Sequence, residues 1–117
     1  MAIRFITTTP NKLLSAYKKA IDDGHVDTWT YDSQGDFTHT PDQWNKRAWL
    51  RPSVVDGEKL VFNIIRPKGS TVPTEIYAVY HGRFIESMRA NCGGLFTDAR
   101  ATPVSDSGDL VEFFYKS

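Results

Sequence analysis

The sequence contains one cysteine and three histidines, the residue types best suited to nucleophilic catalysis. Cys92 and His81 are the pair that could suggest such chemistry. A reactive thiolate is favoured at a helix N-terminus or beside a cation. Cys92 is instead predicted at a helix C-terminus, where the helix dipole disfavours negative charge. The pattern therefore favours a half-buried structural cysteine, and we predict no catalytic residue and no cofactor.

A metal site can be drawn at Asp23, His25 and Asp27, whose alternate spacing would place three ligands on one side of an extended segment. Such a trio arises easily by chance where aspartate is this frequent. A zinc site also needs further ligands of the right type, and the other histidines cannot be placed nearby from sequence. We therefore predict no metal site.

Residues 44–51 are the densest mixture of tryptophan and cations in the chain. Aromatic faces that stack on bases, with cations for the phosphates, are what a single-stranded nucleic-acid surface requires. Tryptophans more often pack into a core, and basic side chains here could pair with aspartates just upstream or lie over an indole. Both interpretations remain open for Trp44, Lys46, Arg47, Trp49 and Arg51.

Residues 22–42 contain six aspartates and no lysine or arginine. A solvated, solubilising face is one explanation. The other is an acidic patch that recognises a basic partner surface, because charge complementarity speeds encounter and fixes the register of two proteins. The candidate contact residues of this patch are Asp32, Asp36 and Asp42.

Tyr77, Tyr80, His81, Arg83 and Glu86 cluster where we predict a break before the second helix. Tyrosine, histidine and arginine are favoured in interfaces and in small-ligand pockets. The polar end of a core strand is the structural explanation for the same residues.

Composition restricts the class of protein. The 117 residues, 40% of them hydrophobic, can bury one core, and we predict a single domain over residues 1–117. Fourteen basic and fourteen acidic residues cancel, so the whole chain has no long-range field to attract nucleic acid or an anionic membrane. No apolar run approaches the roughly 20 residues that cross a bilayer. The sequence begins without a secretory signal pattern and carries a single cysteine, so we expect a cytoplasmic protein.

The pattern along the chain predicts a strand at residues 3–8, a helix that begins at Pro10 and ends before Gly24, and a hairpin whose turn is residues 33–35. Another pair of strands, residues 48–55 and 59–65, should meet at a type I′ turn formed by Asp56 and Gly57. Residues 74–89 can be drawn as one helix. We prefer a strand at residues 76–80, because its β-propensity is high, followed by a short helix ended by Gly93. Strands at 97–104 and 110–115, joined by a turn at 105–108, would close the sheet.

These elements predict an α+β fold: a mostly antiparallel sheet of about five to seven strands with two helices packed on one face. The leading functional hypothesis is a small non-enzymatic binding or regulatory protein, inhibitor-like or immunity-like, that acts through a protein-protein interface. The alternative is a single-stranded nucleic-acid-binding module that uses residues 44–51. The third is a small enzyme or ligand-binding domain around His81.

Overall fold

A computed structural model describes residues 3–102 and the backbone of one further strand at residues 110–116. The predicted turn at residues 105–108 lies outside the described residues. In chain order, the elements are β1 (Ile3–Ile6), α1 (Pro10–Asp22), β2 (Trp29–Tyr31), β3 (Phe37–His39), β4 (Trp49–Val55), β5 (Lys59–Pro67), α2 (Thr74–Cys92), a short 3₁₀ helix (Gly93–Leu95), β6 (Asp98–Ala101) and β7 (Leu110–Lys116).

The strands form one sheet. Six of them lie in the order β2-β3-β4-β5-β1-β6, and all the neighbours in this path are antiparallel. β7 pairs parallel with the end of β5. The first strand of the chain therefore lies inside the sheet, where Ile3 pairs with Phe62 of β5 on one side and with Ala101 of β6 on the other. The predicted α+β class with a mostly antiparallel sheet is confirmed.

Both helices pack on the same face of this sheet. Phe84 of α2 lies at the centre, with its ring centroid 5.3 Å from that of Tyr17 of α1 and 4.7 Å from that of Phe62 of β5. Side chains on a strand alternate between faces, so every second residue of the long strands enters this core. The hydrophobic strand residues with 0% exposure are Ile3, Phe5, Phe37, Leu50, Leu60, Phe62 and Ile64.

The first helix begins and ends where the sequence predicts. Pro10 occupies the first turn, where its missing N–H costs nothing. Leu13 and Tyr17 lie one turn apart and are buried on the core side. Thr9 holds the N-cap position, although its side chain makes no capping bond. Gly24 follows the helix with a φ of +81°, a conformation that glycine adopts without strain.

The predicted strand at residues 76–80 is wrong, because α2 is one continuous helix from Thr74 to Cys92. High β-propensity was outweighed by tertiary burial, which selects the conformation that places the apolar residues on one face. Gly82 does not break the helix. A Cβ built on it meets nothing within 4 Å, so this residue lies on the solvent side. The buried residues recur at helical spacing: Ile76, Tyr77, Tyr80, His81, Phe84, Met88 and Cys92.

The β4–β5 hairpin turns where predicted, but not with the predicted geometry. A type I′ turn needs positive φ at both central residues. Gly57 has a φ of +73°, whereas Asp56 does not have a positive φ. Pro52 lies within β4, past Leu50, the residue at which β4 pairs with β3. A proline is tolerated there because, among the residues that the structure describes, that part of β4 has no strand partner on the β3 side.

Candidate functional site

The loop of residues 41–47 joins β3 to β4 and lies against α2. Its backbone is folded on itself: the Pro41 carbonyl accepts hydrogen bonds from the amides of Trp44 at 2.8 Å and Asn45 at 2.9 Å, and the Arg47 amide donates to the Trp44 carbonyl at 3.1 Å. Lys46 has a φ of +58° and is the one non-glycine residue with positive φ in the described part of the chain. Such a conformation costs an L-residue roughly 1–2 kcal/mol, so surrounding contacts must hold it.

Those contacts come from the neighbouring strand and helix. The Lys46 amide donates to the Thr38 hydroxyl at 3.0 Å, and this hydroxyl donates to the Ala48 carbonyl at 2.9 Å. The Tyr80 hydroxyl of α2 lies 3.0 Å from the Thr38 hydroxyl and donates to the Trp44 carbonyl. Thr38 and Tyr80 are both buried. Buried hydrogen bonds of this kind fix one loop conformation, because any other would leave polar groups unsatisfied.

Trp44 anchors the centre of the loop. The indole is half-buried and packs against the hydrophobic core. The guanidinium of Arg83 on α2 lies over its ring, 5.6 Å from the centroid, which is the geometry of a cation–π contact. Arg83 itself is exposed. One surface therefore combines an aromatic centre with the side chains of Lys46 and Arg47, which are also exposed.

Behind this loop, His39 at the end of β3 is fixed in one orientation. Its ring stacks on Trp29, with centroids 4.5 Å apart, and Nδ1 lies 2.6 Å from the Thr28 carbonyl. Because a carbonyl only accepts, the proton is on Nδ1, and Nε2 accepts from the Arg83 guanidinium at 3.3 Å. Burial, aided by the Arg83 cation, lowers the pKa of His39. The ring is therefore neutral at pH 7.

His39 and Arg83 line a cleft between the strand ends and α2. The cavity measures about 460 Å³. Positions 83, 86, 87 and 90 of the helix form one wall, because residues three and four apart share a helix face. The residues that line the cavity are Thr28, Trp29, His39, Pro41, Arg83, Glu86, Ser87 and Ala90.

The predicted acidic contacts are dispersed by the fold. Asp36 is fully buried and forms a bidentate ion pair with Arg51, at 2.9 and 2.8 Å. Asp32 accepts hydrogen bonds from the amides of Gln34 and Asp36 and so shapes the β2–β3 turn. Asp42 is exposed at the start of the loop. Of the three aspartates, Asp42 alone lies on the surface formed by the loop.

The predicted basic and aromatic contacts also separate. Trp49 is buried on the sheet, at 6% exposure, and Arg51 forms an ion pair with Asp36. Pairing of the basic segment with an upstream aspartate, one of the two alternatives, is confirmed for Arg51. Trp44, Lys46 and Arg47 remain together on the loop. The loop therefore presents one indole, with a guanidinium over its ring, whereas the nucleic-acid interpretation needs several open aromatic faces.

His81 does not lie with Arg83. Its ring is 3% exposed, stacks on Tyr77 with centroids 3.9 Å apart, and donates from Nδ1 to the Tyr77 carbonyl. Arg83, two residues along the helix, turns to the cleft instead. Burial raises the pKa of the Cys92 thiol, so this cysteine stays protonated at neutral pH.

Sequence reasoning missed His39, Glu86 and Ser87 as one group. The alternation of Phe37 and His39 indicated that both point to the same face of a strand. The sequence carried no signal that α2 would cross this strand end, because the pairing of a strand with a distant helix is a tertiary property.

Within residues 3–102, His, Cys, Asp and Glu side chains do not gather in any group of three or more able to hold a metal ion. Neither helix in the described part of the chain has the length and apolar character that a membrane span requires.

Comparisons with known proteins give no evidence about the function of this site. The sequence matches no protein-family profile, no curated protein is significantly similar to it, and no solved structure matches it.

Proposed function

We propose that this protein acts by binding another protein, and that the contact surface is the loop of residues 41–47 together with Arg83. The observation that carries the proposal is the backbone of Lys46, held at positive φ by bonds to buried side chains. Local strain maintained by the surrounding structure is typical of ligand contacts and recognition loops. A loop ordered before binding also loses less conformational entropy when its partner arrives.

The charges of this surface support a partner that carries acidic groups. Lys46, Arg47 and Arg83 have no carboxylate partner among the described residues: Arg47 reaches the Gln43 carbonyl at 3.5 Å, and Arg83 contacts His39 and Trp44. Exposed cations that the fold leaves unpaired are available to steer and orient a complementary surface. A half-buried tryptophan surrounded by polar groups is also typical of binding hot spots.

A protein partner is favoured over single-stranded nucleic acid because of the aromatic residues. Stacking on bases needs open indole faces. Trp49 is buried, and Arg83 lies over the ring of Trp44. The nucleic-acid alternative therefore retains the cations of its predicted surface without the stacking faces.

The test begins with site-specific photo-cross-linking in the source cell. A photoreactive amino acid at Asn45, on the loop, should capture a protein that the same group at Lys12, exposed on α1, does not capture. The captured protein is then purified, and its association rate is measured against the unmodified chain. Reversal of the loop charges, Lys46→Glu with Arg47→Glu, should slow association by about tenfold and weaken its salt dependence.

The matched control is Lys12→Glu with Arg89→Glu, which makes the same change in net charge at exposed positions outside the loop. An association rate reduced equally by both double variants would show that total charge matters and the loop does not. Capture of nucleic acid at Asn45, with binding lost in the loop variant, would establish the alternative.

A further inference from the structure

The cleft beside the loop contains two opposite charges that the fold does not neutralise. Arg83 and Glu86 are both exposed and lie one turn apart on the wall that α2 contributes. Oppositely charged residues at this spacing commonly pair. These two form no ion pair, and Glu86 has no partner among the described residues.

His39 keeps the guanidinium of Arg83 in place without neutralising it. The ring is held by the Thr28 carbonyl and by stacking on Trp29, so Nε2 is a fixed acceptor 3.3 Å from one Arg83 nitrogen. Arginine has five N–H donors in a rigid fork. The neutral His39 ring accepts a hydrogen bond from one of these N–H groups. The positive charge of Arg83 and its other N–H groups therefore remain able to interact with a further group.

The rest of the lining mixes polar and apolar groups. Trp29, Pro41 and Ala90 contribute apolar surface, while the Ser87 hydroxyl is engaged by the Tyr17 hydroxyl at 2.7 Å. A cavity of about 460 Å³ lies within the size range of small-molecule sites.

We infer that this cleft is a binding site for a small zwitterion of the amino-acid class, whose carboxylate binds Arg83 and whose ammonium group binds Glu86. A carboxylate matches the planar fork of a guanidinium and can accept two parallel hydrogen bonds from it. An ammonium group donates to the Glu86 carboxylate within the same cavity. A free amino acid and a short peptide share this chemistry.

The probes are three forms of one molecule. L-leucine carries both charges, N-acetyl-L-leucine carries the carboxylate alone, and L-leucine amide carries the ammonium group alone. Binding is followed by NMR chemical-shift changes at the amides of the residues that line the cleft. We expect L-leucine to bind at least about tenfold more tightly than either derivative, since each derivative loses one charge-assisted contact. Glycine tests the site without a side chain, and leucyl-leucine distinguishes a peptide from a free amino acid.

The variants should give a crossed pattern. Arg83→Gln should weaken N-acetyl-L-leucine and leave L-leucine amide nearly unchanged, and Glu86→Gln should do the reverse. Arg89→Gln and Glu75→Gln, on the same helix and exposed outside the cleft, are the matched controls and should change neither. Thermal unfolding of each variant confirms that the chain still folds.

Two results would overturn the inference. No shift at the cleft with glycine, L-leucine or leucyl-leucine would remove the site. Equal binding of L-leucine and N-acetyl-L-leucine, insensitive to Glu86→Gln, would show a simple carboxylate site. The inference goes beyond the proposed protein contact and fails separately from it, because Lys46→Glu with Arg47→Glu lies outside the cleft and should leave the L-leucine affinity unchanged.

Discussion

The aspartate-rich residues 22–36 and the loop of residues 41–47 are both densely charged, and the fold treats their charges in opposite ways. In the first region Asp22 accepts from the Tyr31 hydroxyl, Asp23 pairs with Lys19, and Asp36 pairs with Arg51. In the second, Lys46 and Arg47 find no carboxylate among the described residues. Charge density in a sequence therefore locates charged residues without saying whether they serve the fold or a partner. Internal pairing decides that question.

The largest effect that would test this comparison is expected from Arg51→Ala. Asp36 is fully buried, so removal of Arg51 takes the bidentate cation away from a carboxylate that lies out of contact with solvent. We expect the free energy of unfolding in urea to fall by about 3 kcal/mol, a value that allows for the partial exposure of Arg51. Lys19→Ala, which breaks the exposed pair with Asp23, is the control and should have little effect. Equal losses would show that the buried pair is not structural.

The next effect concerns the rigidity of the loop. Tyr80→Phe keeps the buried ring and removes the hydroxyl that bonds the Trp44 carbonyl and Thr38. We expect a loss of about 1–2 kcal/mol in stability and faster amide hydrogen exchange at the Lys46 and Arg47 amides.

Tyr77→Phe is its control on the same helix, because the Tyr77 hydroxyl contacts Thr102, away from the loop, at 2.7 Å. Unchanged exchange at Lys46 in the Tyr80 variant would mean that the loop does not depend on this anchor.

A smaller change is expected from Lys46→Gly. Glycine adopts a φ of +58° without the steric cost that lysine bears, although the unfolded chain also gains freedom. We expect thermal unfolding to show a stability equal to or up to about 1 kcal/mol above that of the unmodified chain. Gly57→Ala, which places a Cβ at a φ of +73°, should be destabilising. A clear loss in the Lys46 variant would argue that its backbone is not strained.

The smallest effect is a pH dependence from His39, at the end of β3 and beside the loop. Burial lowers the pKa of His39 below its ordinary value of 6.5. On acidification the unfolded chain therefore binds this proton before the folded chain does, so stability is complete above that value and declines as the pH falls toward the folded pKa.

His39→Gln should flatten this decline between pH 7.5 and pH 5.5 in urea titrations. His25→Gln, at an exposed histidine, should leave the decline in place. A decline that persists fully in the His39 variant would assign the titration to another group.

Local patterns predicted the elements whose signals are local. The first helix follows from Pro10 and the spacing of Leu13 and Tyr17, and the two hairpins follow from alternation and turn residues. The first part of the second helix was predicted as a strand because Ile76 to Tyr80 favour a strand locally, while packing against the sheet favours a helix with one apolar face. No neighbour in sequence carries that information.

The site was predictable in part for the same reason. Lys46 and Arg47 were identified from composition, and their place beside Trp44 is local. The cleft depends on which strand end faces which turn of α2, so His39 and Glu86 could not be grouped in advance. The bond between Tyr80 and the loop is equally a product of packing.

The position of β1 has a consequence for how the chain reaches this structure. Ile3 pairs with residues of both β5 and β6, so β1 is synthesised well before its partners at residues 59–62 and 98–101. Contacts so distant along the chain require large loops to close before they contribute, which slows folding into the range of milliseconds to seconds. We therefore expect an incomplete chain on the ribosome to hold α1 and the early hairpin loosely until β6 has emerged.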